Sequence, residues 1–449
     1  MSASPSFLHR PWSEPLAAAR AVADQPFALC LLSDGSPGAR WSYVMARPSE
    51  VAEAPAGAGD FHLLVQFVRS TPRPASDDGM PPFRGGVAGL ASYDFGAREA
   101  TGREPGGGDW PDLILARYDA ILAFDHHQKR VVAIGGGEDP DGAAAMALGW
   151  LETTTAPAPL PNPLAASFEE AAPPQAYEAA VADVVARIAA GELFQANIAR
   201  AWTGRLAPRS RPFDAFAALA AASPAPYAAF WSLPGRALVS NSPETFLTVG
   251  ASSRRIEARP IKGTRPRRAD AAADALEIEA LLASAKDRAE NRMIVDLMRN
   301  DLSRVCAPGS VEVPRLFEVE SFANVHHLVS TVTGALADGV DTADVLAATF
   351  PPGSITGAPK HQAMKVIAAH EGPRGPWCGS LFLAGDDGSL SASVLIRTLA
   401  FEEKGDGWRF RTLAGAGVVA DSDPASERVE TEAKIAAIRR ALTGRDQEV

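Results

Sequence analysis

The order of segments in this 449-residue chain predicts a mixed fold: a strand-rich first third, then a region carrying both strands and long helices. Three observations carry that expectation. Short apolar runs at 26–32, 63–68 and 131–134, separated by Gly and Pro, read as strands. A Pro- and Ala-rich stretch at 153–161 has no periodicity and breaks the pattern. Beyond it come amphipathic segments with recognisable caps. The break divides the chain into an N-terminal sheet-rich region, 1–160, and a second region, 161–449.

Within the first region, residues 69–82 read as an exposed loop, since Pro, Ser and Asp crowd them. In the second, a helix is predicted over 174–190, with Tyr177, Val181, Val184, Val185 and Ile188 on one face and Gly191 at its end. Residues 193–198 and 246–249 read as strands. The run around Lys262 reads as a further strand that breaks at Gly263. One long helix is expected after Arg268, capped by Asp270 and turning Leu276, Leu281, Leu282, Met293 and Leu297 inward. A last helix starts at Asp423, with Pro424 in its first position, and directs Ile435, Ile438 and Leu442 to the core.

Composition excludes several function classes. The net charge of −11 leaves no domain-wide basic face for nucleic acid. No apolar run is long enough to span a bilayer, and the N-terminus lacks a basic segment followed by an apolar one, so a cytoplasmic setting is expected. Cys30, Cys306 and Cys378 form no closely spaced pair, which argues against a disulfide framework or structural zinc.

Several constellations have chemical potential. Asp287 and Glu290 stand three apart on a predicted helix, as do Glu427 and Glu430, with Lys434 one turn further on. Four carboxylates on two rigid helices suit a hard divalent ion, best magnesium (Mg2+), although helix-surface acids look the same in sequence. Of His326 and His327, adjacent on a predicted strand, only one can face a given cavity. Glu244 follows a turn-forming Pro and would serve as a general acid if buried. Gly353 to Lys360 lacks the ending of a nucleotide phosphate loop, but its turn, like Gly415 and Gly417, permits close backbone approach to a carboxylate. Lys262, between Pro260 and Gly263, is either an amine aimed into a cleft or one more cation in a stretch holding Arg259, Arg265, Arg267 and Arg268.

Taken in order, the segments 191–197, 242–244, 260–264, 286–291, 294–302, 326–328, 353–360 and 415–434 resemble the chorismate-utilising enzyme family. The first third matches mainly through 85–94. The fold this resemblance implies is α+β: two stacked antiparallel β-sheets flanked by helices, with the site in a cleft between them. It also implies that Glu290 and Glu427 bind magnesium directly and that Asp287 and Glu430 reach it through water. Arg397, with the backbone at Gly415 and Gly417, would hold a second carboxylate of chorismate. Thr356 and His327 would line the cleft.

Within the family, water-adding members resemble one another in having Lys where this chain has Gln195. Anthranilate-forming members read Pro-Ile-Ala-Gly-Thr, whereas Lys262 stands in the Ala place here. The resemblance implies a member that forms 4-amino-4-deoxychorismate, with Lys262 as nucleophile and Glu244 protonating the departing hydroxyl. No cysteine lies in a glutaminase-type elbow, so a separate glutamine amidotransferase is the expected ammonia source. Family members often carry a Leu-Leu-Glu-Ser segment that binds an aromatic amino acid. Here residues 31–35 depart from it, which leaves tryptophan binding open. Two other readings also stay open: an anthranilate-forming member with an incidental Lys262, and a non-catalytic ligand-binding homologue.

Overall fold

The computed structural model describes residues 4–36, 38–68, 79–106, 110–152, 160–321, 325–405 and 407–444. The loop expected at 69–78 and the stretch 153–159 of the Pro/Ala break lie outside the described residues. Two antiparallel sheets, of 12 and 10 strands among these residues, form the body. Their facing sides meet in a shared core. Leu29, Met45, Ile121, Trp231 and Leu238 come from the larger sheet, and Leu90, Ile114, Leu381 and Leu383 from the smaller. Alternate residues of these strands provide that face, and the residues between them are buried as well on the other face of the sheet. Helices Pro174–Ala189, Pro212–Ala222 and Pro424–Thr443 cover the outer side of the larger sheet, and Ala285–Ser303 covers the smaller. The α+β architecture of two stacked sheets is therefore present.

Both sheets mix strands from either side of residue 160. Leu29–Leu32 pairs with Tyr227–Leu233, and Gly86–Ala91 pairs with Ser380–Gly385. The Pro/Ala break marks a change of sequence pattern and not a boundary between the sheets.

Three local expectations are corrected. The apolar run at 63–68 forms a short helix, Leu63–Phe67, that buries Leu64 and exposes Val65; a run this short has no periodicity to separate helix from strand. The long helix after Arg268 is two helices, Ala271–Ala283 and Ala285–Ser303. Ser284 between them is extended, and its hydroxyl accepts the Asp287 amide hydrogen, starting the second helix afresh. The break re-aims the apolar face: Ile294, Val295, Met298 and Leu302 are buried, while Leu276 and Leu282 are exposed. The strand at Lys262 does not end at Gly263 either. It runs Ile261–Pro266, and its register against Val325–Ala335 slips between Lys262 and Thr264.

Other expectations hold. The helix Pro174–Ala189 buries Tyr177, Val181 and Val184. Asp423 caps Pro424–Thr443 by accepting from the Ser426 amide, and Ile435, Ile438 and Leu442 are buried. All three cysteines are buried and free.

Candidate active site

Where the edge of the smaller sheet meets two helix starts and the end of the larger sheet, they enclose a cleft of about 640 Å³. One wall is the strand Gly407–Val418, paired with Gln195–Leu206. Its glycines face the cleft because nothing larger fits. A Cβ on Gly417 would lie 2.1 Å from Gln195 Nε2 and 3.2 Å from Lys262 Nζ, and one on Gly415 would lie 2.5 Å from Asn197 Oδ1.

Lys262 enters from the bulged strand. Gly263 has φ +77°, and a Cβ there would meet Leu281 and Asp287, so the bulge requires glycine. The Lys262 ammonium sits 3.9 Å from Glu290 Oε2. The arginines crowding this stretch are drawn off to carboxylates. Arg265 pairs with Asp287 at 3.2 Å, Arg267 with Asp274 at 3.1 Å, Arg268 with Glu277 at 2.6 Å, and Arg259 with Glu320. Lys262 and Arg265 both line the cleft, but Arg265 is held by Asp287, whereas Lys262 has Glu290 beside it at a longer distance.

A second wall is built from the first turns of Ala285–Ser303 and Pro424–Thr443, and it brings Asp287, Glu290, Glu427 and Glu430 to the cleft. Lys286 Nζ lies 3.9 Å from both Glu290 Oε1 and Glu427 Oε1. Glu427 also accepts from Ser422 Oγ at 2.6 Å. Lys434 pairs with Glu430 at 2.7 Å and donates to the Gly415 carbonyl at 2.8 Å. Burial pushes the Glu290 carboxyl above its ordinary range, against the pull of Lys262 and Lys286. Burial acts the same way on Glu430, but Lys434 outweighs it and the net shift is downward.

Among the described residues no three His, Cys, Asp or Glu side chains converge into a closed metal cage. Glu290 and Glu427 do converge on one cation, the Lys286 ammonium. Two carboxylates with room for waters fit magnesium, which keeps several waters, better than an ion needing an all-protein cage.

The third wall holds Glu244, His327 and Arg397. Glu244 is buried and accepts from Ser354 Oγ at 2.6 Å. Burial raises its carboxyl well above the usual range, although the Ser354 hydrogen bond and Lys262 oppose the shift. His327 shares a hydrogen bond with Thr264 Oγ1 at 3.0 Å, and burial pushes its pKa down to about 4, so the imidazole is neutral at pH 7. His326 faces the opposite side, between Asp274 at 2.9 Å and Ser321 at 2.7 Å. Arg397 has φ +51°, a left-handed conformation uncommon for a residue with a side chain. Its guanidinium faces the cleft with no hydrogen-bond or ion-pair partner among the described residues.

Comparison with known proteins gives this arrangement a context. A model of the chorismate binding enzyme family matches residues 35–440. The chain belongs to that family. Aminodeoxychorismate synthase component 1 of Klebsiella aerogenes is 42% identical over 359 residues, covering 79% of this chain and 76% of that one. Anthranilate synthase component 1 of Streptomyces coelicolor is 39% identical over 433 residues, covering 90% and 81%. The crystal structure of anthranilate synthase component I from Streptococcus pneumoniae superposes with a TM-score of 0.76 at 27% identity, covering 90% of this chain and 93% of that one. The chain is accordingly a chorismate-utilising enzyme.

Not every residue that the family resemblance implied reaches the cleft. Thr356 is fully buried, and its hydroxyl donates into its own turn, to Pro352 and Gly353 carbonyls at 3.1 Å. Ser354 and Ile355 line the cleft in its place. Gln195 is also fully buried, behind Gly417, with neither side-chain amide atom hydrogen-bonded among the described residues. Lys286, Ser354, Asn197 and Trp377 line the cleft although sequence reasoning did not single them out. The signal for Lys286 was its position one turn before Glu290.

Proposed function

We propose that this enzyme aminates chorismate at C4, forming 4-amino-4-deoxychorismate for p-aminobenzoate and folate synthesis. The observation that carries this reading is the Lys262 amine, held by a glycine bulge inside a cleft shared with a buried carboxyl and an unpaired guanidinium. Arg397 receives one substrate carboxylate, the bond type a guanidinium makes best. Glu290 and Glu427, with Asp287 and Glu430 through water, would hold magnesium, which supplies a Lewis-acid anchor for the other carboxylate.

Glu244 donates its proton to the C4 oxygen, which leaves as water, while the Lys262 nitrogen bonds to C2 through its lone pair. Ammonia then bonds to C4 as the C2–N bond breaks and its electron pair returns to the Lys262 nitrogen; the proton shed by the new C4 ammonium goes back to Glu244. Across the cycle one C–O bond is exchanged for a C–N bond, and the enolpyruvyl arm is retained. Neutral His327 and Lys434 complete the lining.

Ammonia would come from a separate glutamine amidotransferase subunit, consistent with a relative named as a numbered component. The N-terminal residues Leu31 and Leu32 line a separate cavity of about 220 Å³ together with Tyr43, Tyr227 and Phe382. An indole suits that lining, and no Asp or Glu stands among its described residues. No described helix is long and apolar enough to cross a membrane; we place the enzyme in the cytoplasm.

The second reading is anthranilate synthesis, favoured by the long match to the Streptomyces coelicolor protein. Incubation with chorismate, magnesium and an ammonium salt separates the two. We expect a product that yields p-aminobenzoate only after a lyase is added. Direct release of fluorescent anthranilate and pyruvate would overturn the proposal.

A further inference from the structure

A second cavity, of about 520 Å³, lies beside the cleft. The strand Gly407–Val418 is the floor of both. Its alternate residues run Arg409, Arg411, Leu413, Gly415 and Gly417: the arginines face the second cavity, Leu413 lines both, and the glycines face the cleft. At ~3.3 Å per residue, Arg411 and Gly415 stand about 13 Å apart along the strand. Trp377 also lines both cavities. A Cβ on Gly415 would come within 3.1 Å of its ring.

The second cavity has the chemistry of an anion site. Arg411 is half-buried, and one of its nitrogens donates to the Pro373 carbonyl at 2.5 Å. No carboxylate lies within ion-pairing distance of it among the described residues; Asp94 and Glu371 act on it only from further away. A guanidinium has five N–H donors in a fork that matches a carboxylate, so most of its capacity is unused. Arg409 on the same face makes no hydrogen bond or ion pair among the described residues.

The acids lining this cavity are otherwise occupied or peripheral. Asp94 accepts from the amides of Arg374 and Gly375 at 3.2 and 2.7 Å, Glu402 pairs with Lys404 at 3.1 Å, and Glu169 is exposed at the rim. Trp110 and Trp377 add aromatic surface, and the volume is in the range of small-molecule sites.

We propose that this cavity is a second ligand site, for an aromatic monocarboxylate whose carboxylate sits on Arg411 and Arg409 and whose ring lies against Trp110 and Trp377. It is separate from the chorismate cleft and does not depend on which product the cleft makes.

Benzoate is the probe, titrated calorimetrically into the full chain without chorismate. We expect one site, weakened roughly 10- to 100-fold by Arg411→Met, the loss typical of a charge-assisted hydrogen bond. Arg397→Met, in the cleft, should leave it unchanged. Arg409→Met removes an exposed side chain and should weaken binding severalfold, which decides the matter if Arg411→Met does not fold. Absence of binding in the millimolar range, unchanged affinity in the Arg411 or Arg409 variant, or loss of binding in Arg397→Met would each overturn the proposal.

Discussion

The helix wall of the cleft and the wall that holds Glu244, His327 and Arg397 carry opposite kinds of incompleteness. On the helices, Glu290, Glu427 and Glu430 are held by lysines, with Lys286 3.9 Å from two of them and Lys434 2.7 Å from the third. Those carboxylates have cations to exchange for another. On the other wall, Arg397, in the connection between two strands, carries its charge into the cleft with no ion-pair partner among the described residues, on a backbone conformation that costs energy to hold. Glu244 is a carboxyl that burial keeps protonated to higher pH. One wall is prepared for a cation and the other for an anion. A ligand bearing two carboxylates completes both, one on each side, and the reacting ring then lies between Lys262 and Glu244.

Breaking the Glu244 and Arg397 wall should have the largest effect. Glu244→Gln keeps the shape and removes the acid, and we expect kcat to fall roughly 10²- to 10⁴-fold. In the wild type the rate should decline as pH rises through the raised Glu244 pKa, because only the protonated form donates. The variant should lose that limb, read from a kcat profile against pH.

Next comes Arg397→Met. Losing a charge-assisted hydrogen bond worth about 1.5–3 kcal/mol should raise KM for chorismate roughly 10- to 100-fold. A rise of that size in the requirement for magnesium instead would assign the residue to the wrong wall.

The helix wall is tested through Ser422, which holds Glu427 by a 2.6 Å hydrogen bond. Ser422→Ala should weaken magnesium binding roughly 10- to 100-fold, as loss of an outer partner of a metal ligand does. Calorimetric titration of magnesium into the protein reads this without turnover. Unchanged affinity would count against Glu427 as a ligand.

The smallest effect is structural. Ser284→Ala removes the cap that starts the helix bearing Asp287 and Glu290, and should cost about 1 kcal/mol of stability, visible as a lowered Tm.

How much of this was legible in the sequence depended on the range of the interaction. Helix periodicity paired the four acids and strand alternation limited the cleft to one of His326 and His327; that it is His327, and that the acids share one site, came from the family resemblance, and the structure gathers all five. The restart at Ser284 was missed, because the apolar residues on either side suggested one continuous helix. Thr356 and Ser354 differ by two residues in a single turn, and only the turn's path decides which hydroxyl faces the cleft. Gln195 sits on a strand whose neighbour at Gly417 has no side chain, so its exclusion from the cleft is set by pairing across 220 residues of chain. The stacking of the sheets is non-local in the same way and came from the family resemblance.

The central claim is that the Lys262 amine takes part in the reaction, and the most direct measurement is product analysis of Lys262→Ala beside the wild type, with saturating chorismate, magnesium and ammonium at neutral pH. The account predicts that formation of 4-amino-4-deoxychorismate collapses in the variant while chorismate still binds. Full wild-type turnover to the same product by Lys262→Ala would contradict it.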